Sequence, residues 1–141
     1  TFLDARYNDD VGDPLGGEPD VFVTVSLNGS RDPAHSTESV EGNDGFVQWS
    51  IADDNARFRT QLETNDTLRI CVFDADRFLK GGDDAMGCVR GFDVDDLVDI
   101  IQRFDGNRPA NSPHWALVTP RMERDAAVTA LRFTVERFFN R

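Results

Sequence analysis

Apolar and polar residues alternate along several short stretches of the chain. The alternation is clearest at 21–27, 47–51, 68–72 and 131–135. Because successive side chains of a β-strand point to opposite faces, this period predicts strands that bury one face. Shorter candidate strands lie at 2–6, 35–40, 86–92 and 115–118. Short strands at this spacing, separated by turn residues, predict an all-β fold, an antiparallel sandwich or a barrel.

One segment follows a different period. Asp93 is suited to cap a helix, two acids follow it in the first turn, and Gly106 can end the helix. Five apolar residues between these limits fall on one helix face: Val94, Leu97, Val98, Ile101 and Phe104. The pattern therefore predicts one helix, inserted between the sixth and seventh strands.

The composition is that of a folded globular domain. The chain has 141 residues, of which 39% are hydrophobic and 29% charged. No apolar stretch is long enough to span a bilayer, and no signal peptide pattern is visible. The chain begins at Thr1 instead of Met. We therefore expect a single domain over residues 1–141 that is a module of a larger protein.

The charge is strongly acidic and unevenly distributed. Acids outnumber bases 26 to 15, a formal net charge of −11, so binding to a nucleic-acid backbone is not expected. Residues 1–20, 41–49 and 74–84, hereafter the acidic loops, hold 12 acids and three bases, a balance of −9. The rest of the chain carries only −2. The excess charge is thus confined to three connections between predicted strands.

Converging acidic loops have two interpretations. They can be solvated segments that keep the domain soluble, or they can hold a cation that relieves the repulsion between carboxylates. Ca²⁺ takes about six to eight oxygen ligands and tolerates flexible loops. An EF-hand is excluded, because a loop starting at Asp74 would place Leu79 at the glycine position and Ala85 at the final glutamate position.

Several motifs resemble those of the C2 domain, a family of calcium- and lipid-binding modules. Residues 19–27 (PDVFVTVSL) resemble the family's Asp-Pro-Tyr-Val-x-Val-x-Leu strand, with Asp-Pro reversed to Pro19-Asp20. Residues 72–78 (VFDADRF) and 84–87 (DAMG) resemble its Val-x-Asp-x-Asp loop and the closing Asp-x-x-Gly. Three further segments match in the family's order: 43–49, 115–117 and 130–135.

The resemblance implies an eight-stranded antiparallel β-sandwich whose loops at one end bind Ca²⁺. A short first strand, with only 2–6 available, and a long last strand favour the family's type II strand order. By position, the implied metal ligands are Asp13 and Asp20 in the first loop, and Asp74, Asp76 and either Asp83 or Asp84 in the third.

The tip of the third loop suggests how the domain would meet a membrane. Phe78 and Leu79 form an apolar pair between Arg77 and Lys80. Such a pair can enter the headgroup region while the cations contact lipid phosphates, as in the membrane-penetrating tip of the family. The alternative is that Phe78 packs on its own loop.

The two cysteines and two histidines give little indication of catalysis. Cys71 and Cys88 lie on adjacent predicted strands and could face each other, but without a sign of secretion two free thiols are favoured. His35 and His114 are not spaced as metal ligands. No nucleophile elbow, Walker loop or dinucleotide fingerprint occurs, so we expect no enzyme activity.

The leading hypothesis is a calcium-dependent module that docks its parent protein on anionic phospholipid. It would act as a cytoplasmic, peripheral membrane protein with Ca²⁺ as its cofactor. The competing hypothesis is a calcium-insensitive scaffold that binds protein partners through its strand faces or helix. A hydrolase using the paired carboxylates is a third hypothesis, and it would also need a cleft for its substrate.

Overall fold

A computed structural model describes residues 3–8, 17–50, 54–75, 83–105 and 115–136. It contains one α-helix, α1 (Val94–Asp105), and one short 3-10 helix, η1 (Asp54–Ala56). No helix in these ranges is long and apolar enough to cross a membrane. The strands are β1 (Leu3–Tyr7), β2 (Asp20–Leu27), β3 (His35–Ser36), β4 (Val40–Glu41), β5 (Phe46–Gln48), β6 (Leu68–Asp74), β7 (Asp84–Cys88), β8 (Trp115–Val118) and β9 (Val128–Glu136).

The strands form two antiparallel sheets. Sheet A has the order β5-β1-β9-β8, and sheet B has the order β3-β2-β6-β7, with β4 also paired to β2. Each sheet contributes buried side chains to one core, in which Trp49 and Leu131 are among the largest fully buried residues. The predicted all-β, C2-like antiparallel sandwich is confirmed.

The described residues form nine strands where eight are predicted, because the strand predicted at 35–40 is divided. Ser36 pairs with Thr24 and Val40 pairs with Val21, so three residues on one strand face two on the other. This is the arrangement of a β-bulge. The Thr37 hydroxyl oxygen accepts a hydrogen bond from the Val23 amide at 2.9 Å, replacing a main-chain acceptor within the bulge.

The first strand has the five residues that the sequence predicts, shifted by one position along the chain. β1 has five residues and lies inside sheet A, between β5 and β9, where Ala5 pairs with both Val47 and Leu131. The type II strand order is expected from a short first strand and a long last strand. β1 has five residues and β9 has nine, in agreement with both expectations.

Helix α1 lies where the sequence predicts it, between the strands that correspond to the predicted sixth and seventh. Its first turn is closed by reciprocal hydrogen bonds. The Asp96 amide donates to Asp93 Oδ1 at 3.1 Å, and the Asp93 amide donates to Asp96 Oδ2 at 2.9 Å. This is a capping box with aspartate at both positions. Val94 and Ile101 are buried, which confirms the predicted apolar face for these two residues.

Candidate functional site

Strand register brings parts of all three acidic loops to one end of sheet B. Asp20, at the start of β2, pairs with Glu41 on β4. Asp74, at the end of β6, pairs with Val21 on one side and with Asp84, at the start of β7, on the other. Four acidic residues therefore lie in adjacent positions along this edge of the sandwich, although the chain separates them widely.

Asp74 connects two of these loops. Its side chain is buried, and the residue is 8% exposed. Asp74 Oδ1 accepts a hydrogen bond from the Asp20 amide at 2.9 Å, and the Ala75 amide donates to the Asp20 carbonyl oxygen at 2.8 Å. Burying a carboxylate is unfavourable unless polar or charged groups compensate it. Asp74 is thus held where the first and third acidic loops meet.

The acidic residues at this edge are divided between the two faces of sheet B. Side chains of register partners lie on the same face, so Asp74 and Asp84 share one face, and Asp20 and Glu41 share the other. Asp83 and Asp84 are exposed, and Asp20 is half-buried. Within the described ranges, no group of three or more acidic, histidine or cysteine side chains is close enough to hold a metal ion.

Several predicted site residues fall outside the part of the chain that the structure describes. These are Asp13 and Asp76 of the metal set and all four residues of the predicted membrane tip, Arg77, Phe78, Leu79 and Lys80. The described part of the site therefore consists of Asp20, Asp74, Asp83 and Asp84. Their oxygens are hard ligands of the type that Ca²⁺ prefers.

The structure adds Glu18, which the sequence analysis does not select. Glu18 Oε2 accepts a hydrogen bond from the Tyr7 hydroxyl at 2.6 Å, and Glu18 Oε1 accepts one from the Asp44 amide at 3.4 Å. This carboxylate therefore links the first and second acidic loops to β1. The sequence does contain an indication that Glu18 belongs to the site. Glu18 directly precedes Pro19, so residues 18–19 have the acid-Pro order found in the family's strand.

Asp44 lies in a tight hairpin turn. Asp44 and Gly45 have φ angles of 48° and 77°, and the Asn43 and Phe46 backbones exchange hydrogen bonds of 2.8 and 3.0 Å. Two central residues with positive φ are typical of a type I′ turn, whose twist matches that of paired strands. The turn aims the Asp44 amide at Glu18 and thereby sets the position of the second acidic loop.

The expectation of two free thiols is wrong. Cys71 on β6 and Cys88 on β7 are register partners and form a disulfide. Both cysteines are buried. The bond therefore joins the two strands that carry the third acidic loop, a few residues before and after that loop.

Comparison with known families agrees with this architecture. The profile of the C2 domain matches residues 3–103, which is most of the chain. The chain belongs to the C2 domain family. No curated protein and no solved structure gives a significant match.

The match covers β1 to β7 and most of α1 of this C2 domain. Strands β8 and β9 lie beyond the matched residues, but they pair with each other, and β9 pairs with β1, to complete sheet A. The acidic edge described above lies entirely within the matched part of the C2 domain. As a C2 domain, the chain is a membrane-binding or protein-interaction module in general terms.

Proposed function

We propose that this C2 domain is a calcium-dependent phospholipid-binding module that docks a larger protein on anionic membranes, without catalytic activity of its own. The observation that carries the proposal is the position of Asp74. Its buried carboxylate lies where the first and third acidic loops meet, next to Asp20 and Asp84 in the strand register.

The metal ligands in this proposal are Asp20 and Asp74, completed by Asp13, Asp76 and either Asp83 or Asp84. Bound Ca²⁺ would supply positive charge that offsets the loop carboxylates and attracts lipid phosphate. Asp74 holds the first and third loops together through the Asp20 amide, and the disulfide joins the two strands that carry the third loop. Phe78 and Leu79 would enter the headgroup region, while Arg77 and Lys80 contact phosphates.

Charge neutralisation alone does not explain docking. The acidic loops carry −9, so two Ca²⁺ ions would leave about −5, which still repels an anionic membrane. Direct contact between the ions and lipid phosphate, together with insertion of the loop tip, must supply the remaining attraction.

The test is a calcium titration of the purified domain. Calcium at about 100 times its Kd should stabilise the folded state by about 2.7 kcal/mol, raise Tm, and drive the protein onto anionic liposomes in co-sedimentation. Asp74→Asn and Asp76→Asn should abolish both effects. Asparagine at position 74 keeps an oxygen acceptor for the Asp20 amide, so this variant removes the charge and not the contact.

The matched control is Asp32→Asn, because Asp32 is exposed and follows the other end of β2. It removes the same charge and should leave both calcium effects intact. If calcium neither raises the Tm of the unmodified domain nor promotes liposome binding, the proposal is refuted.

One observation favours a second candidate, a calcium-insensitive protein-interaction domain. The described residues contain no cluster of three or more potential metal ligands. The titration distinguishes the two functions, since this candidate requires that calcium change neither Tm nor liposome binding.

The proposed location is peripheral to a membrane. A cytoplasmic location and two free thiols are both expected from the sequence, in which no signal peptide pattern is visible, but Cys71 and Cys88 are joined. Disulfides persist in oxidising compartments and are rare where glutathione keeps thiols reduced. The disulfide thus favours the non-cytoplasmic side, and labelling of free thiols in protein from its native source tests this assignment.

A further inference from the structure

A cleft lies at the end of the sandwich opposite the acidic edge. β7 runs away from the acidic edge. The segment that follows it continues in the same direction to the start of β6, where Asp93 forms a bridge with Thr67. The cleft has a volume of about 270 Å³ and is bounded by this segment, by α1 and by the backbone near Arg121. None of the predicted site residues lines it.

Two arginines line the cleft from directly opposite backbone positions. Val89 and Met122 form an antiparallel bridge, and the neighbouring Arg90 amide donates to the Arg121 carbonyl oxygen at 2.7 Å. Both residues are exposed. Among the described residues, neither guanidinium has a hydrogen-bond or ion-pair partner.

The opposed positions of Arg90 and Arg121 are electrostatically unfavourable in the free protein. Like charges at directly opposite positions of an antiparallel pair repel each other. The chain carries 26 acids, yet two adjacent cations at this cleft have no carboxylate partner among the described residues. An anion bound between them would remove the repulsion.

The other walls of the cleft indicate what kind of anion fits. Phe92 and Ile100 contribute apolar side chains to the lining of the cleft. Asp96, Asp99 and a third arginine, Arg103, also line the cleft, and the Asp96 carboxylate already accepts a hydrogen bond from the Asp93 amide. The two acids disfavour an extended polyanion or a densely anionic membrane surface. Three arginines against two acids still leave the lining with a charge of +1, which suits one compact anionic group.

We propose that Arg90 and Arg121 bind the phosphate group of a soluble phosphate monoester whose apolar portion rests on Phe92 and Ile100. A phosphate monoester carries a charge of about −1.5 to −2 near neutral pH and so matches two guanidinium groups. Arginine also presents paired N–H donors that suit phosphate oxygens. A single carboxylate would leave part of the repulsion uncompensated. This site is independent of the calcium proposal.

The test measures binding of phenyl phosphate to the intact domain at low ionic strength, by NMR titration and by Tm. We expect a Kd that is roughly millimolar or tighter. Arg90→Gln and Arg121→Gln should each weaken binding at least about tenfold, because each removes charge-assisted hydrogen bonds. The matched control is Arg124→Gln, an exposed arginine outside the cleft, which should leave the affinity unchanged.

A second readout does not depend on ligand. Arg90→Gln should be at least as stable as the unmodified domain in the absence of phosphate, because it removes the repulsion from Arg121. Loss of stability on this change would overturn the argument that the pair is strained.

Three further results would overturn the assignment. The first is absence of any phenyl phosphate effect at about ten times the expected Kd. The second is equal affinity for benzoate, which would show a general anion site. The third is binding of phosphatidic acid vesicles through these arginines without binding of phenyl phosphate, which would identify a lipid headgroup as the ligand.

Discussion

At the scale of single residues, the pair formed by Asp4 and Arg132 is the best-defined interaction in sheet A. Arg132 Nε donates to Asp4 Oδ1 at 3.0 Å, and Arg132 Nη2 donates to Asp4 Oδ2 at 2.7 Å. The hydrogen bond and the charge of Asp4 raise the pKa of Arg132 above its usual value. The two side chains differ in exposure, since that of Asp4 is 3% exposed and that of Arg132 is 40% exposed.

This difference predicts unequal effects of removing each partner. Arg132→Met should destabilise the domain, because it leaves the Asp4 carboxylate buried without this partner. Asp4→Leu should cost less, because the Arg132 side chain can still reach water. Urea denaturation of the two variants measures the difference, and equal losses would contradict the assigned roles.

Gly42 is constrained by Tyr7. A Cβ atom at position 42 would overlap the Tyr7 hydroxyl and crowd its ring, so Gly42→Ala should displace the tyrosine and its hydrogen bond to Glu18. We expect a loss of roughly 1–3 kcal/mol, as for other overpacked sites. Tyr7→Phe in the Gly42→Ala background removes the overlapping hydroxyl, so the double variant should lose less stability than the sum of the single variants.

At the scale of elements, side chains beyond the ends of β2 and β6 fix how these two strands are joined. Asp66 Oδ1 accepts the Asn28 side-chain amide at 2.9 Å, and Asp66 Oδ2 accepts the Glu63 backbone amide at 2.8 Å. The Thr67 amide in turn donates to Asn28 Oδ1 at 3.0 Å. The hydrogen bond from Glu63, followed by that from Asn28, lowers the pKa of Asp66 below its usual 3.8.

The lowered pKa predicts the direction of a pH effect. The ionised carboxylate contributes its full stabilisation above pH 3.8, and this contribution is lost as pH falls through the lower pKa of the folded state. The stability difference between the unmodified domain and Asp66→Asn should therefore shrink as pH falls below 3.8 and through the lower pKa of the folded state. A pH-independent difference in urea denaturation would show that ionised Asp66 does not stabilise the connection.

The disulfide between β6 and β7 should contribute strongly to stability. Its cysteines are 17 positions apart, and closing a loop of this size stabilises a domain by about 3 kcal/mol in the chain-entropy description. Reduction should therefore lower the urea midpoint of the unmodified domain. The double variant Cys71→Ala, Cys88→Ala should have a lowered urea midpoint in the absence of reductant. Adding reductant should not change the midpoint of this variant further. Equal stability of the oxidised and reduced protein would contradict this role.

At the scale of the whole molecule, sheet A depends on strands that are distant in the chain. β1 lies between β5 and β9, and among the described strands β8 pairs with β9 alone. Leu131 on β9 and Val118 on β8 are fully buried. The segment matched by the family profile ends at residue 103, before either strand. The matched segment alone therefore lacks half the strands of sheet A.

This dependence predicts that a fragment of residues 1–105 does not fold. It would leave β1 with β5 as its only partner and would expose the core face of sheet B. An isolated strand pair is marginally stable at best. Circular dichroism and thermal scans should show no cooperative transition for the fragment, in contrast to the full chain. A cooperative transition in the fragment would show that sheet B folds independently.

Much of the fold can be predicted from local sequence patterns. The alternation at 21–27 and 68–72 matches β2 and most of β6, and the helical spacing matches α1. The splitting of the strand at 35–40 could not be predicted, because the bulge depends on a side-chain contact between Thr37 and Val23. The motif resemblance identifies Asp20, Asp74 and Asp84 in the candidate site. Glu18 is identified only by its contacts with Tyr7 and Asp44 in the structure.

The sequence by itself determined the all-β class, the single helix and the concentration of charge in three loops, because period, capping residues and net charge are local properties. Only the tertiary structure decided which distant residues meet. It paired Cys71 with Cys88, Asp4 with Arg132, and Arg90 with Arg121. The first two pairs are set by strand register, and the third by an isolated bridge between Val89 and Met122. Register depends on how whole strands bury their apolar faces, and no single stretch of sequence contains that information.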